Sequence, residues 1–161
     1  MIEQNSDGSG AILSDFFSKN DLVLIENAVS QIERGTSGEI RVVLRMNFDK
    51  EFAGGLDGQA LHDFAGHGLA NTKDKTGVLI LLVLGARKFK ILADKGIYEK
   101  VEKWYFEEVA VTLSILFGMS RFADGVVEAV ADIGRKLSFY FPRKSDDTNE
   151  LPDKPIIKDG E

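Results

Sequence analysis

The sequence has no cysteine, which excludes disulfides, thiolate metal sites and cysteine nucleophiles. Its polar start, Met1 to Gly10, lacks the basic and apolar regions of a signal peptide. The longest apolar run, Val78 to Leu84, is far short of the ~20 residues that span a bilayer. No lipidation motif is present. Membrane insertion is therefore not expected, and the cytoplasm is the expected compartment. The chain also lacks a contiguous D-x-[DN]-x-[DN]-G metal loop. Gly54-Gly55-Leu56-Asp57-Gly58 lacks the Lys and Ser/Thr of a phosphate loop, and Gly66-His67-Gly68 has no serine elbow beside it. No complete catalytic motif remains.

The 161 residues match one compact domain. Hydrophobic residues make up 43% and charged residues 29%, enough to bury a core and stay in solution. A chain of this length buries roughly two-thirds of its unfolded surface and needs no covalent staples. The 26 acidic and 20 basic residues leave a formal net charge of −6. That surface repels phosphate backbones on average, so nucleic-acid binding is not expected. It is compatible with hard cations held by oxygen ligands.

Residues 1–12, rich in Ser, Gly, Asn and Asp, read as a disordered leader. Ser18 and Asn20 are candidate caps for a helix whose stripe is Leu22, Ile25, Val29 and Ile32, and Gly35 ends it. Ile40, Val42 and Leu44 alternate with Arg41, Val43 and Arg45, as in a strand with one buried face. Gly54, Gly55 and Gly58 read as a flexible connection, and Leu56 to Ala65 as a short second helix. Val78 to Leu84 is apolar throughout, which suits a central strand covered on both faces. Gly85-Ala86 turns it into a hairpin partner ending at Ala93. Two longer helices follow, with stripes Val101, Tyr105, Val109, Leu113, Leu116 and Phe122, Val126, Val130, Ile133, Leu137. Ser120 is the expected cap of the second, and Trp104 the expected core neighbour of the first. The domain is expected to span 13–142, with a polar tail at 143–161.

This order predicts an α/β fold, with a small mixed sheet flanked by about four helices. A strand–helix–strand unit makes the first two strands parallel, and the hairpin makes the third antiparallel. The segments entering strand one (36–39), entering strand two (71–77) and leaving strand three (94–96) then share one end of the sheet. The end of the second helix, with His67, and the start of the third, whose free N–H groups favour an anion, arrive there too. Glu39, Asp74 and Asp94 could face one cleft and supply oxygen ligands for Ca²⁺ or Mg²⁺. Such a metal could orient a phosphate ester and activate water. The competing reading makes Asp94 a helix cap, Asp74 a turn residue and Glu39 solvated. His62 and His67 are a poor match to an i, i+4 zinc pair. Arg41 and Arg45 read as a solvated strand face, and Asp124 is expected at the opposite end.

Thr36-Ser37-Gly38-Glu39-Ile40-Arg41-Val42, Lys75 to Val83, and Lys90-Ile91-Leu92-Ala93-Asp94-Lys95-Gly96-Ile97 followed by Trp104 resemble strands and a helix start of the TPM domain. Phe141-Pro142 and Asn149-Glu150-Leu151-Pro152-Asp153 resemble the ending of short, stand-alone bacterial members. The resemblance covers residues 14 to 155 and implies a three-layer α/β/α sandwich. It implies two kinds of role. A plant thylakoid member is an acid phosphatase and some members bind Ca²⁺ or Mg²⁺; others act in photosystem repair or receptor assembly. The Asp94 position and the Glu39 loop carry over as candidate metal positions, with Asp74 added from the topology. Many bacterial relatives have a signal peptide, a membrane segment and a Gly-rich tail, none of which is expected here. The expectation is a divalent-cation-binding or regulatory module, with a cation and a protein as candidate partners. The alternative is a metal-dependent acid phosphatase acting on phosphate monoesters.

Overall fold

Ser18 opens the first helix, α1 (Lys19–Glu33), through a reciprocal cap. The Asp21 N–H donates to Ser18 Oγ at 3.0 Å, and the Ser18 N–H donates to Asp21 Oδ2 at 2.8 Å. Two of the helix's otherwise orphaned donors are thereby satisfied. Leu22, Ile25 and Val29 bury the stripe read from the sequence, and Glu33 extends it by one turn, also buried.

The computed structural model describes residues 14–49, 54–144 and 151–158; the expected leader lies outside the described residues. After α1 come β1 (Glu39–Arg45), α2 (Gly55–Gly66), β2 (Gly77–Val83), β3 (Lys88–Ala93), the single turn α3 (Lys95–Tyr98), α4 (Lys103–Gly118), α5 (Phe122–Tyr140) and β4 (Ile156–Lys158). The strands lie in the order β3-β2-β1-β4. β1 is parallel to β2, pairing Glu39 with Gly77, and β2 is antiparallel to β3, pairing Val78 with Ala93. These match the expected strand directions.

Alternation divides the strand residues between two cores. Ile40, Val42, Leu44, Val78, Ile80, Leu82 and Ile91 pack with α1, α4 and α5. Val43, Leu79, Leu81 and Val83 pack with Ala60 and Phe64 of α2 and with Leu69. The result is the expected three-layer α/β/α arrangement. Close approach of α1 and α5 depends on Gly134, where a Cβ would collide with Ile32.

Four local expectations fail for identifiable reasons. Gly55 and Gly58 lie in the first turn of α2, not in a flexible connection. Trp104 is 53% exposed, because α4 buries Tyr105, Phe106, Val109 and Leu113 and each residue turns a helix by ~100°. Ser120 does not cap α5: it takes a left-handed φ of 57° just after α4, and Arg121 is the N-cap residue, with no side-chain cap bond. The polar tail contributes structure, since Ile156 to Lys158 pair in parallel with Val43 to Arg45.

Candidate functional site

The three loops expected to converge do meet. The Glu39 N–H donates to the Thr76 carbonyl at 3.1 Å, and the Asp94 N–H to the Gly77 carbonyl at 2.9 Å. A Cβ on Gly96 would collide with the carbonyl oxygens of Asp74 and Lys75, so glycine lets α3 close on the start of β2. Their carboxyl groups have separate surroundings. Asp94 is the N-cap of α3, its Oδ1 accepting from the Lys95 N–H at 2.7 Å. Its Oδ2 is buried without a hydrogen-bond partner. Asp74 is in a turn, 44% exposed, with its Oδ2 3.7 Å from Lys144 Nζ. The neighbouring cleft of about 320 Å³ is lined by Asp74 and Glu99 but also by Lys100, Arg143 and Lys144. A cation there would meet three basic side chains. Among the described residues, no group of three His, Asp or Glu side chains is arranged to hold a metal ion.

Glu39 belongs to a different neighbourhood and is not solvated, being only 2% exposed. It lies with Glu33 at the end of α1, Asp153 ahead of β4, and Arg41 on β1. Glu33 Oε1 accepts from the Ile40 N–H at 3.0 Å. Its Oε2 is buried and receives no N–H or hydroxyl. Burial first, then a hydrogen bond shared with Asp153, push the Glu33 carboxyl far above its ordinary value of 4.5; the Ile40 N–H opposes this, and Glu39 adds to the rise. A carboxyl in such surroundings keeps its proton because a further negative charge has no compensation. Arg41 Nη1 donates to the Pro152 carbonyl at 2.8 Å, which ties β1 to the chain leading into β4. Burial lowers the Arg41 pKa, against the pull of Glu33, Glu39 and Asp153. Glu33, Glu39 and Asp153 all act on the Arg41 guanidinium, and Arg143 Nη1 donates to the Glu33 backbone carbonyl at 2.6 Å.

Four residues further along β1, Arg45 is paired with Asp63. Its Nε and Nη2 reach Asp63 Oδ2 and Oδ1 at 2.7 and 2.6 Å, with both side chains buried. Gln59 Nε2 donates to Asp63 Oδ1 at 3.2 Å, and Gln59 Oε1 accepts from the Asp49 N–H at 2.8 Å. His67 Nε2 lies 3.8 Å from Asp63 Oδ1, and burial lowers its pKa more than Asp63 raises it. The imidazole is therefore held toward its neutral form. The expectation of a solvated face for Arg41 and Arg45 is overturned, since every residue of β1 is buried. A strand covered on both faces accepts arginine when a carboxylate or carbonyl meets it.

Sequence reasoning missed Glu33, Asp63 and Asp153. Glu33 had a signal, because it continues the helical stripe four residues after Val29. Asp63 had another: it lies beside Phe64 and four residues from both Gln59 and His67. Asp124 sits where expected, exposed and paired with Arg121 at 2.9 Å.

The fold has relatives among known proteins. The TPM domain model matches residues 13–136. The solution structure of the BA42 protein from the psychrophilic bacterium Bizionia argentinensis is 31% identical, with a TM-score of 0.78 over 88% of this chain and 95% of that one. The N-terminal domain of a P. gingivalis protein is similar in fold at 20% identity and a TM-score of 0.64, over 78% and 79% of the two chains. The N-terminal domain of the cg2496 protein from Corynebacterium glutamicum follows at 13% identity and 0.59, over 81% and 78%. No curated protein matches the chain.

Proposed function

The chain belongs to the TPM domain family, and from that premise we propose that it is a divalent-cation-binding module with a binding or regulatory role. The observation that supports this reading is the cluster of acids around Arg41. Glu33 and Glu39 are buried, Asp153 adjoins them, and Glu33 Oε2 receives no donor. The donor set is all oxygen, which is the chemistry of Ca²⁺ and Mg²⁺. Glu33, Glu39 and Asp153 are the residues that would hold the ion; they are not arranged as a metal site in this structure, so binding requires their carboxyl groups to turn toward one another. Of the positions expected from sequence, Glu39 is retained. Asp94 Oδ2 on the neighbouring loop is also buried without a partner, while Asp74 faces basic side chains.

The test is an amide NMR titration of the full chain with CaCl₂ and with MgCl₂. Saturable shifts at 33, 39–41 and 153–154, weakened at least tenfold by Glu39→Gln with Asp153→Asn, are expected. Uniform or absent shifts would refute cation binding, and shifts confined to 74–77 and 94–98 would move it to the Asp94 loop.

A second reading, hydrolysis of phosphate monoesters, is favoured by the cleft beside Asp74. Lys100, Arg143 and Lys144 there match a phosphate dianion. Turnover of p-nitrophenyl phosphate that requires added Mg²⁺ and falls in Arg143→Ala supports it; no turnover leaves the module without this activity.

A further inference from the structure

We propose that the cavity between the β2–β3 connection and the C-terminal end of α4 binds a small molecule with an apolar body and a carboxylate head. It lies at the end of the sheet away from the three converging loops, so it is independent of the cation reading. The cavity measures about 240 Å³ and is walled by Leu82, Leu84, Phe89, Phe117, Phe122 and Phe16. That is below the ~300–1,000 Å³ of sites for drug-sized ligands, which limits the occupant to a short aliphatic or aromatic acid. The rings hold one another in place. Phe89 meets Phe117 edge-on at 5.6 Å, Phe117 meets Phe122 at 5.5 Å, and Phe122 meets Phe16 edge-on at 5.1 Å. The polar side chains of the lining are Ser114, Arg87 and Lys88.

The polar end is set by two cations. Arg87 and Lys88 line the same cavity and are exposed. Among the described residues, neither makes an ion pair or a side-chain hydrogen bond, in a protein whose net charge is −6. Arg87 also holds a left-handed φ of 52°, a conformation that glycine adopts without strain and arginine does not. The tight turn would be served better by glycine, whereas arginine puts a guanidinium at the cavity, able to grip a carboxylate through two parallel hydrogen bonds. Aromatic walls and a guanidinium–ammonium rim complement a fatty-acid-like anion at both of its ends.

Amide NMR titrations of the full chain with octanoate and with octan-1-ol test this. Octanoate is expected to give saturable shifts at Lys88, Phe89, Phe117 and Phe122, with octanol at least tenfold weaker. Arg87→Gly with Lys88→Gln is expected to lower octanoate affinity at least tenfold, leaving octanol affinity and the thermal midpoint in place. Since glycine suits the turn, this variant separates loss of binding from loss of fold. The proposal is overturned by absent saturable shifts. It is equally overturned by octanoate and octanol binding alike in parent and variant, which marks a purely apolar hole. Shifts of the same amides with protein concentration alone would assign the cavity to a second copy of the chain and also overturn it.

Discussion

Arg41 and Arg45 lie on the same strand, both buried, yet their surroundings differ in charge balance. Arg45 and Asp63 form a closed pair with two short bonds, backed by Gln59. Arg41 is shared among Glu33, Glu39 and Asp153, and its Nε is buried without a partner. The pair ties α2 to the sheet. In the Arg41 set, Glu33 Oε2 is buried without a donor, a demand that a proton or a cation can satisfy. Distinguishing the two kinds of buried arginine therefore separates architecture from candidate function.

The largest expected effect comes from breaking the matched pair. Asp63→Ala leaves the Arg45 guanidinium buried without its carboxylate, at a cost of roughly 3–5 kcal/mol. Urea unfolding measures this, and a loss near zero would mean that water reaches Arg45. Smaller, and opposite in sign at alkaline pH, is the effect expected of Glu33→Gln. The folded state holds the Glu33 proton far above 4.5, whereas the unfolded chain releases it near that value. The folded state therefore binds more protons, and its stability falls as pH rises above about 4.5. Glutamine, which cannot ionise, should flatten that slope and recover on the order of 1–3 kcal/mol at pH 9, the cost of an unsatisfied buried group. An unchanged slope would show that Glu33 is not the titrating acid.

Asp94→Ala should cost ~1 kcal/mol, the usual value of a helix cap, without changing affinity for Ca²⁺ by as much as Glu39→Gln does. The reverse order of affinities would shift the site to α3. The smallest effect belongs to Asp74→Asn. Its partner Lys144 is 3.7 Å away and both are substantially exposed, so stability should move by less than ~0.5 kcal/mol in thermal unfolding.

The layered architecture was legible because each long element carries one dominant period. The stripe of α1, its Ser18–Asp21 cap and the unbroken apolar run of β2 all act locally. The meeting of the three loops followed from topology alone. The chemistry was not legible, because a sequence pattern assigns charge to solvent unless a partner is known. Asp63 reaches Arg45 from another layer, and Pro152 and Asp153 reach Arg41 from beyond α5. β4 was missed for a related reason. Three residues after a polar, Pro-containing stretch carry no period of their own, and β1 supplies their partners.

The most direct measurement is a crystal structure of the full chain grown with excess Ca²⁺. The account expects an ion held by Glu33, Glu39 and Asp153 at about 2.3–2.6 Å, with Arg45–Asp63 unchanged. A structure at saturating Ca²⁺ with no ion among those three carboxyl groups would contradict it.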